Sequence, residues 1–155
     1  MSEKYQNRYR IPSARLQNWD YGTDAAYFVT ICTKDRECYF GDVMDGTMQL
    51  SEMGEIVKTE WIKTFEMRPD MNLIMDEYII MPNHFHAIII IGENEYNMRG
   101  RDAMHCVSAG TTNKFGPQSK NLASIIRGFK MGVTKNARQI HAGFEWQARF
   151  YDHII

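Results

Sequence analysis

Residues 71–91 read MNLIMDEYIIMPNHFHAIIII. Met71 to Ile80 and His84 to Ile91 each read as a strand, and Met81-Pro82-Asn83 is a breaker between them. The stretch predicts a hairpin with a tight connection, ended by Gly92. Side chains alternate along a strand. His84 and His86 therefore project to one face while Phe85 and Ala87 project to the other.

Toward the N-terminus, Tyr27 to Thr33 (YFVTICT) alternates aromatic and β-branched residues and reads as another strand. Lys34 to Glu37 is a charged turn, and Cys38 to Val43 either pairs or wanders. Asp45-Gly46 signals a turn before a short extended piece, Met48 to Leu50. Ser51 reads as an N-cap, followed at helical spacing by Met53, Ile56, Val57, Trp61 and Phe65, and Arg68-Pro69-Asp70 is a stop. The pattern predicts a helix over 51–66.

Toward the C-terminus, residues 92–118 lack periodicity and predict a long loop, of a length that is usually functional or mobile in a compact domain. Ser119 reads as the next N-cap. Leu122, Ile125, Ile126, Phe129, Val133 and Ala137 then form an apolar stripe, with Lys120, Arg127, Lys130 and Arg138 off it. Gly128 and Gly132 weaken this amphipathic helix by about 1 kcal/mol each against alanine. Phe144 to Ile155 predicts a final strand. Strand, helix, strand, strand, helix, strand is the split βαβ order of ferredoxin-like α+β domains, with helices on one face of an antiparallel sheet.

The 155 residues make one domain, 1–155, and 44% hydrophobic with 24% charged residues excludes intrinsic disorder. No apolar run approaches the ~20 residues of a membrane helix. The N-terminal MSEKYQNRYR has no apolar core of a secretory signal. With that N-terminus, Cys32, Cys38 and Cys106 predict reduced thiols and a cytoplasmic location. The net charge of -1 hides an asymmetry. Residues 20–77 hold 13 acidic and 5 basic groups, whereas residues 114–149 hold seven basic groups against Glu145 alone. A nucleic-acid surface would produce such a pattern, and so would a solvated helix face.

The sharpest chemistry is His84-Phe85-His86. Two imidazoles on one face can share a divalent ion, leaving room for a third ligand, water and a substrate phosphate. An open site with hard oxygen ligands suits Mg²⁺ or Mn²⁺ acting as a Lewis acid on a phosphodiester. The competing reading is two histidines hydrogen-bonded to neighbours on a sheet face.

Tyr78 to Ile89 (YIIMPNHFHAII) resembles the His-hydrophobic-His (HUH) motif of the IS200-like single-tyrosine transposases, closest to their REP-associated tyrosine transposase branch. Tyr27 to Thr33 resembles that family's first strand, Leu122 to Lys130 its second helix, and Trp146 to Ile155 its W-Q-x-R-F-x-D-H-x-I segment. The resemblance implies a ferredoxin-like fold and metal-dependent cleavage and rejoining of single-stranded, hairpin-bearing DNA. It assigns His84 and His86 as ligands of Mg²⁺ or Mn²⁺. It also implies a tyrosine nucleophile that becomes linked to the 5′ phosphate. Family members include monomers and homodimers.

In that family the nucleophilic tyrosine lies on a helix beyond the D-H segment, with a third ligand, often Asn or Gln, four residues later. No residue up to Ile155 matches either position, so the expectation is a domain lacking that helix. Tyr151 lies within the D-H segment and reads as a buried aromatic rather than the nucleophile.

The family context favours phosphate contacts for Lys120, Arg127, Lys130 and Arg138 over a merely solvated face. Trp146 and Phe150 read as core before base-stacking platforms, and Asp152-His153 as a strand-end polar pair before an acid–base pair. His105-Cys106 is a weak metal signal without further partners. Three functions stay open: a DNA strand transferase, a DNA-hairpin-binding module without cleavage, and an unrelated metal-dependent hydrolase of small phosphodiesters.

Overall fold

The computed structural model describes residues 4–5, 8–9, 16, 19–98 and 120–155. Strands β1 (Ala25–Cys32), β4 (Leu73–Met81), β5 (His84–Ile91) and β6 (Tyr151–Ile154) form one sheet. Its spatial order is β4-β5-β1-β6, with every neighbouring pair antiparallel. Between β1 and β4 the chain makes a hairpin, β2 (Gly41–Met44) and β3 (Thr47–Leu50), and helix α1 (Glu52–Glu66). Helix α2 (Leu122–Ile140) connects toward β6. This is the expected ferredoxin-like α+β order, with a hairpin inserted before α1. Lys4–Tyr5 and Arg8–Tyr9 pair in a separate short ladder.

Alternation decides which face the helices cover. Tyr27, Val29 and Ile31 on β1 and Phe85, Ala87, Ile89 and Ile91 on β5 are buried. They share one core with Val57 and Trp61 of α1 and with Ile126, Phe129 and Val133 of α2. Trp61 is its hub, with ring centroids 5.0 Å from Phe85, 5.1 Å from Phe65 and 5.2 Å from Phe129. Phe28, Thr30, Cys32, His84, His86 and Ile88 take the opposite, half-buried face. Neither α1 nor α2 covers that face.

Helix α1 starts where expected, with the Ser51 hydroxyl accepting from Gly54 N. Helix α2 differs. Asn121 is its N-cap, in a reciprocal capping box with Ser124, while the expected cap Ser119 lies outside the described residues. The predicted loop 92–118 is described only to Met98, where residues 95–98 form a helical turn. His105 and Cys106 fall outside the described residues.

Gly132 receives a polar side chain from α1, and Gly128 one from Arg68 just beyond its end. A Cβ at Gly132 would lie 2.4 Å from Glu60 Oε2, and one at Gly128 would lie 2.5 Å from Arg68 Nη2. Glu60 is buried against Gly132 and accepts from Asn136 Nδ2 at 2.9 Å. Gly132→Ala is therefore expected to lower stability by about 1–3 kcal/mol through overpacking, despite alanine's higher helix propensity. Urea unfolding measures the sign.

The last strand is shorter than expected. Only Tyr151–Ile154 pairs along β1, and Trp146 touches the sheet through a single bridge to Thr33. The segment between them is irregular because it turns at Arg149, whose φ is 68°. Lys130 Nζ donates to the carbonyls of Gln147 (2.9 Å) and Arg149 (3.0 Å), which holds the turn. The expected helix-face lysine is thus a backbone anchor, and burial pushes its ammonium below the ordinary lysine range.

Candidate metal and nucleic-acid site

Pro82-Asn83 reverses the chain and sets the phase of β5. Thr33 N donates to Asn83 O at 3.0 Å, and Phe40 N donates to Pro82 O at 3.0 Å, so the turn is fixed from two sides. His84 and His86 then stand side by side on the face away from the helices, with ring centroids 4.7 Å apart and edge-to-face. Phe85 between them is fully buried.

Each imidazole is held through Nδ1. His84 Nδ1 is 2.7 Å from Asn83 Oδ1. Because that oxygen only accepts, the ring carries its proton on Nδ1 and keeps Nε2 as a lone-pair donor. Asn83 Nδ2 meanwhile donates to Arg36 O at 3.2 Å, which fixes the amide's orientation. His86 Nδ1 shares a 2.8 Å hydrogen bond with Thr30 Oγ1 and stacks on Phe28 at 5.4 Å. The Thr30 hydroxyl can donate or accept, and the tautomer with Nδ1–H donating to it leaves Nε2 as a lone-pair donor as well.

This arrangement suits a pair of ligands whose outer nitrogens are oriented by neighbours. Among the described residues no group of three or more His, Cys, Asp or Glu could hold an ion. A cation here would take two imidazoles and fill its remaining positions with other oxygens. Asn83→Ala is expected to weaken Mn²⁺ binding by about 10- to 100-fold, measured by isothermal titration.

Burial, then the neighbouring His86, then Arg36 push His84 below the ordinary histidine range. The folded chain therefore holds this proton less tightly than the unfolded chain. Its stabilising contribution is present above the unfolded value of about 6.5 and is lost as pH falls through the depressed folded value. The urea midpoint is expected to fall on acidification through that window, with a flatter slope in His84→Gln.

Tyr151 is not buried, contrary to expectation. It is 53% exposed and lies opposite Thr30, which in turn lies opposite His86. Tyr151, Thr30 and His86 thus form one row on the histidine face. Strand spacing puts the outer two Cα atoms roughly 10 Å apart. The inward position belongs to Asp152, which is buried opposite Val29. Asp152 and His153 point to opposite faces, so they form no acid–base pair. Trp146 and Phe150 pack partly buried against the core, as expected.

A groove of about 1340 Å³ runs between α2, the 34–36 turn and the 145–150 segment. Arg127, Lys130 and Arg138 of the expected phosphate-binding set line it. Lys120 does not. It immediately precedes the Asn121 N-cap of α2, bonded to Asp70 and 5.0 Å above the Tyr96 ring. Arg138 Nε donates to Phe144 O, so only Arg127 of the four has no side-chain bond among the described residues.

The groove also holds Lys34, Arg36, Lys135 and Arg149, which sequence reasoning did not assign to the site. Lys34 is tied to Glu145, raising the lysine and lowering the carboxyl. Lys135 was visible only as a member of the basic 114–149 stretch, and Arg149 also as the arginine of the W-Q-x-R-F-x-D-H-x-I segment. Arg36 was visible only as part of the charged 34–37 turn, which meets α2 and the 145–150 segment through tertiary packing.

No protein-family model matches the sequence. An uncharacterized protein of Haemophilus influenzae is 38% identical over 144 residues, covering 92% of this chain and 77% of that protein. Among solved structures, a REP-associated tyrosine transposase bound to a REP hairpin superposes with a TM-score of 0.55 at 16% identity. The match covers 94% of this chain and 62% of the transposase, so the chain spans less than two thirds of that protein's length. The likeness is one of fold.

Proposed function

The chain belongs to the same family as the Haemophilus influenzae protein and shares the fold of a REP-associated tyrosine transposase, and from this premise we propose that it acts on single-stranded, hairpin-bearing DNA. The observation carrying the proposal is the side-by-side pair His84 and His86, each hydrogen-bonded at Nδ1 on the face away from the helices, with Arg36 linking that pair to the basic groove along α2. The chemistry is strand cleavage and rejoining by a transposase or single-strand endonuclease.

The residues divide the work. Arg127, Lys135 and Arg149 hold the DNA backbone by charge, without reading sequence. His84 and His86 would hold Mg²⁺ or Mn²⁺, with Asn83 and Thr30 keeping both rings aimed. A cation held there would polarise a phosphodiester oxygen and offset charge developing on it. Attack of a deprotonating tyrosine hydroxyl on the phosphorus would form a phosphotyrosine linkage to the 5′ phosphate while the P–O3′ bond breaks and the 3′ oxygen leaves with a proton as a hydroxyl, and reversal onto another 3′ hydroxyl would complete the transfer in a second step.

A second reading is hairpin binding without cleavage. It draws support from the tyrosines: of those on the four-stranded sheet, Tyr27 and Tyr78 pack in the core and Tyr151 alone shares the histidine face, on the strand itself. Incubation with a single-stranded hairpin oligonucleotide and Mn²⁺, followed by a denaturing gel, separates the two. A covalent protein–DNA band that His84→Ala abolishes supports strand transfer, and its loss in Tyr151→Phe would identify that tyrosine as the nucleophile. Salt-dependent binding without any adduct or cut strand supports the binding module. Absence of DNA binding overturns both, and turnover of small phosphodiesters without DNA binding would favour an unrelated hydrolase.

A further inference from the structure

The turn after β1 is tied to the histidine pair by a chain of specific contacts. Thr33 is buried, and its hydroxyl lies within bonding distance of Glu37 O (2.7 Å) and Asn83 O (3.0 Å). Asn83 then bonds His84 through one end of its amide and the Arg36 carbonyl through the other. Asp35 and Arg36 both adopt left-handed backbone, with φ of 54° and 57°, which ordinary side chains rarely do twice in succession.

The Arg36 side chain is exposed, lines the groove, and has no hydrogen bond or ion pair among the described residues. Its neighbour Lys34 is already occupied by Glu145. Arg36 thus lines the groove while its own carbonyl is bonded to the Asn83 amide that holds His84, which puts it between the groove and the histidine pair. A guanidinium offers a planar fork of donors that matches phosphate oxygens two at a time.

We propose that Arg36 grips one backbone phosphate of the bound strand next to the linkage presented to His84 and His86, and so sets which phosphodiester reaches them. This rests on the DNA-processing reading above and adds to it a positioning residue that the sequence did not mark. The amide of Asn83 makes the grip and the first histidine parts of one rigid unit, so strand register is set relative to the imidazoles.

Single methylphosphonate linkages scanned through a hairpin-bearing oligonucleotide test this by binding alone. Wild-type chain is expected to lose affinity at several linkages. Arg36→Gln should bind about tenfold more weakly and show a salt slope smaller by about 0.7. It should become insensitive to one neutral linkage while staying sensitive to the others. Arg36→Lys should regain affinity through its charge but leave that one linkage less sharply defined. Retained Mn²⁺ binding in both variants verifies that the histidine pair is intact. If Arg36→Gln keeps the wild-type sensitivity at every linkage, Arg36 makes no such contact and the proposal fails while DNA binding stands. If wild-type chain does not bind the oligonucleotide, the DNA reading itself falls.

Discussion

Replacing His84 and His86 together by alanine is expected to lower Mn²⁺ affinity by more than about 100-fold while leaving the chain folded. The two effects separate because of where the rings sit. Both are half-buried on the face away from the helices, and neither belongs to the buried cluster. The losses are the Phe28 stack, the Thr30 bond and the Asn83 bond. Substitutions at such positions shift stability by about 0.5–1.5 kcal/mol, well short of unfolding a domain. Titration with Mn²⁺ alongside a thermal melt measures both quantities. Unfolding of the double variant would mean the imidazoles serve as structural polar groups of the sheet, the competing reading of the H-x-H pattern.

Phe85→Ala is expected to do the reverse, costing about 3–5 kcal/mol of stability. Phe85 has no exposure, and its ring lies 5.0 Å from Trp61, 5.3 Å from Phe129 and 6.1 Å from Tyr78. It is where β5 meets both helices. Truncation leaves a cavity at that junction which two helices and a sheet cannot jointly close. For a domain this size the loss corresponds to a melting temperature lower by about 10 °C. Phe85→Leu, which refills most of the volume, should recover the larger part. Equal stability of Phe85→Ala and the wild type would contradict the packing described.

The four-stranded sheet and both helices were legible because their patterns are local. The alternation at 84–87 and the 3.6-period stripe at 122–137 each state which face is buried. What failed was decided by distant contacts. The C-terminal strand contracted to four residues because Lys130, a helix residue, takes the carbonyls of Gln147 and Arg149. The side of Tyr151 was misjudged for a related reason. Once the turn at Arg149 interrupts the run, the alternation restarts, and Asp152 takes the inward place.

The histidine pair was legible as a juxtaposition, since strand geometry alone brings two residues of spacing two together. Its supporting residues were not equally so. Asn83 adjoins His84 in sequence, but nothing in the pattern says that its amide spans from the imidazole to Arg36. Thr30 is 56 residues from its bond to His86. The glycines of α2 looked like defects of a helix. They are clearances for Glu60 and Arg68, whose seats exist only once α1 lies against α2.

The turn at Pro82-Asn83 also governs which changes of length the chain can absorb. Deleting or inserting one residue there would shift β5 by one place against β1 and β4. A shift of one exchanges the two faces, sending Phe85 and Ile89 to solvent and both imidazoles beneath the helices. A substitution can damage the core or the histidines separately, but a change in spacing damages both at once. Loop-length variation among relatives is thus expected at the Asp45-Gly46 hairpin end, which bears on neither, and not between Met81 and His84.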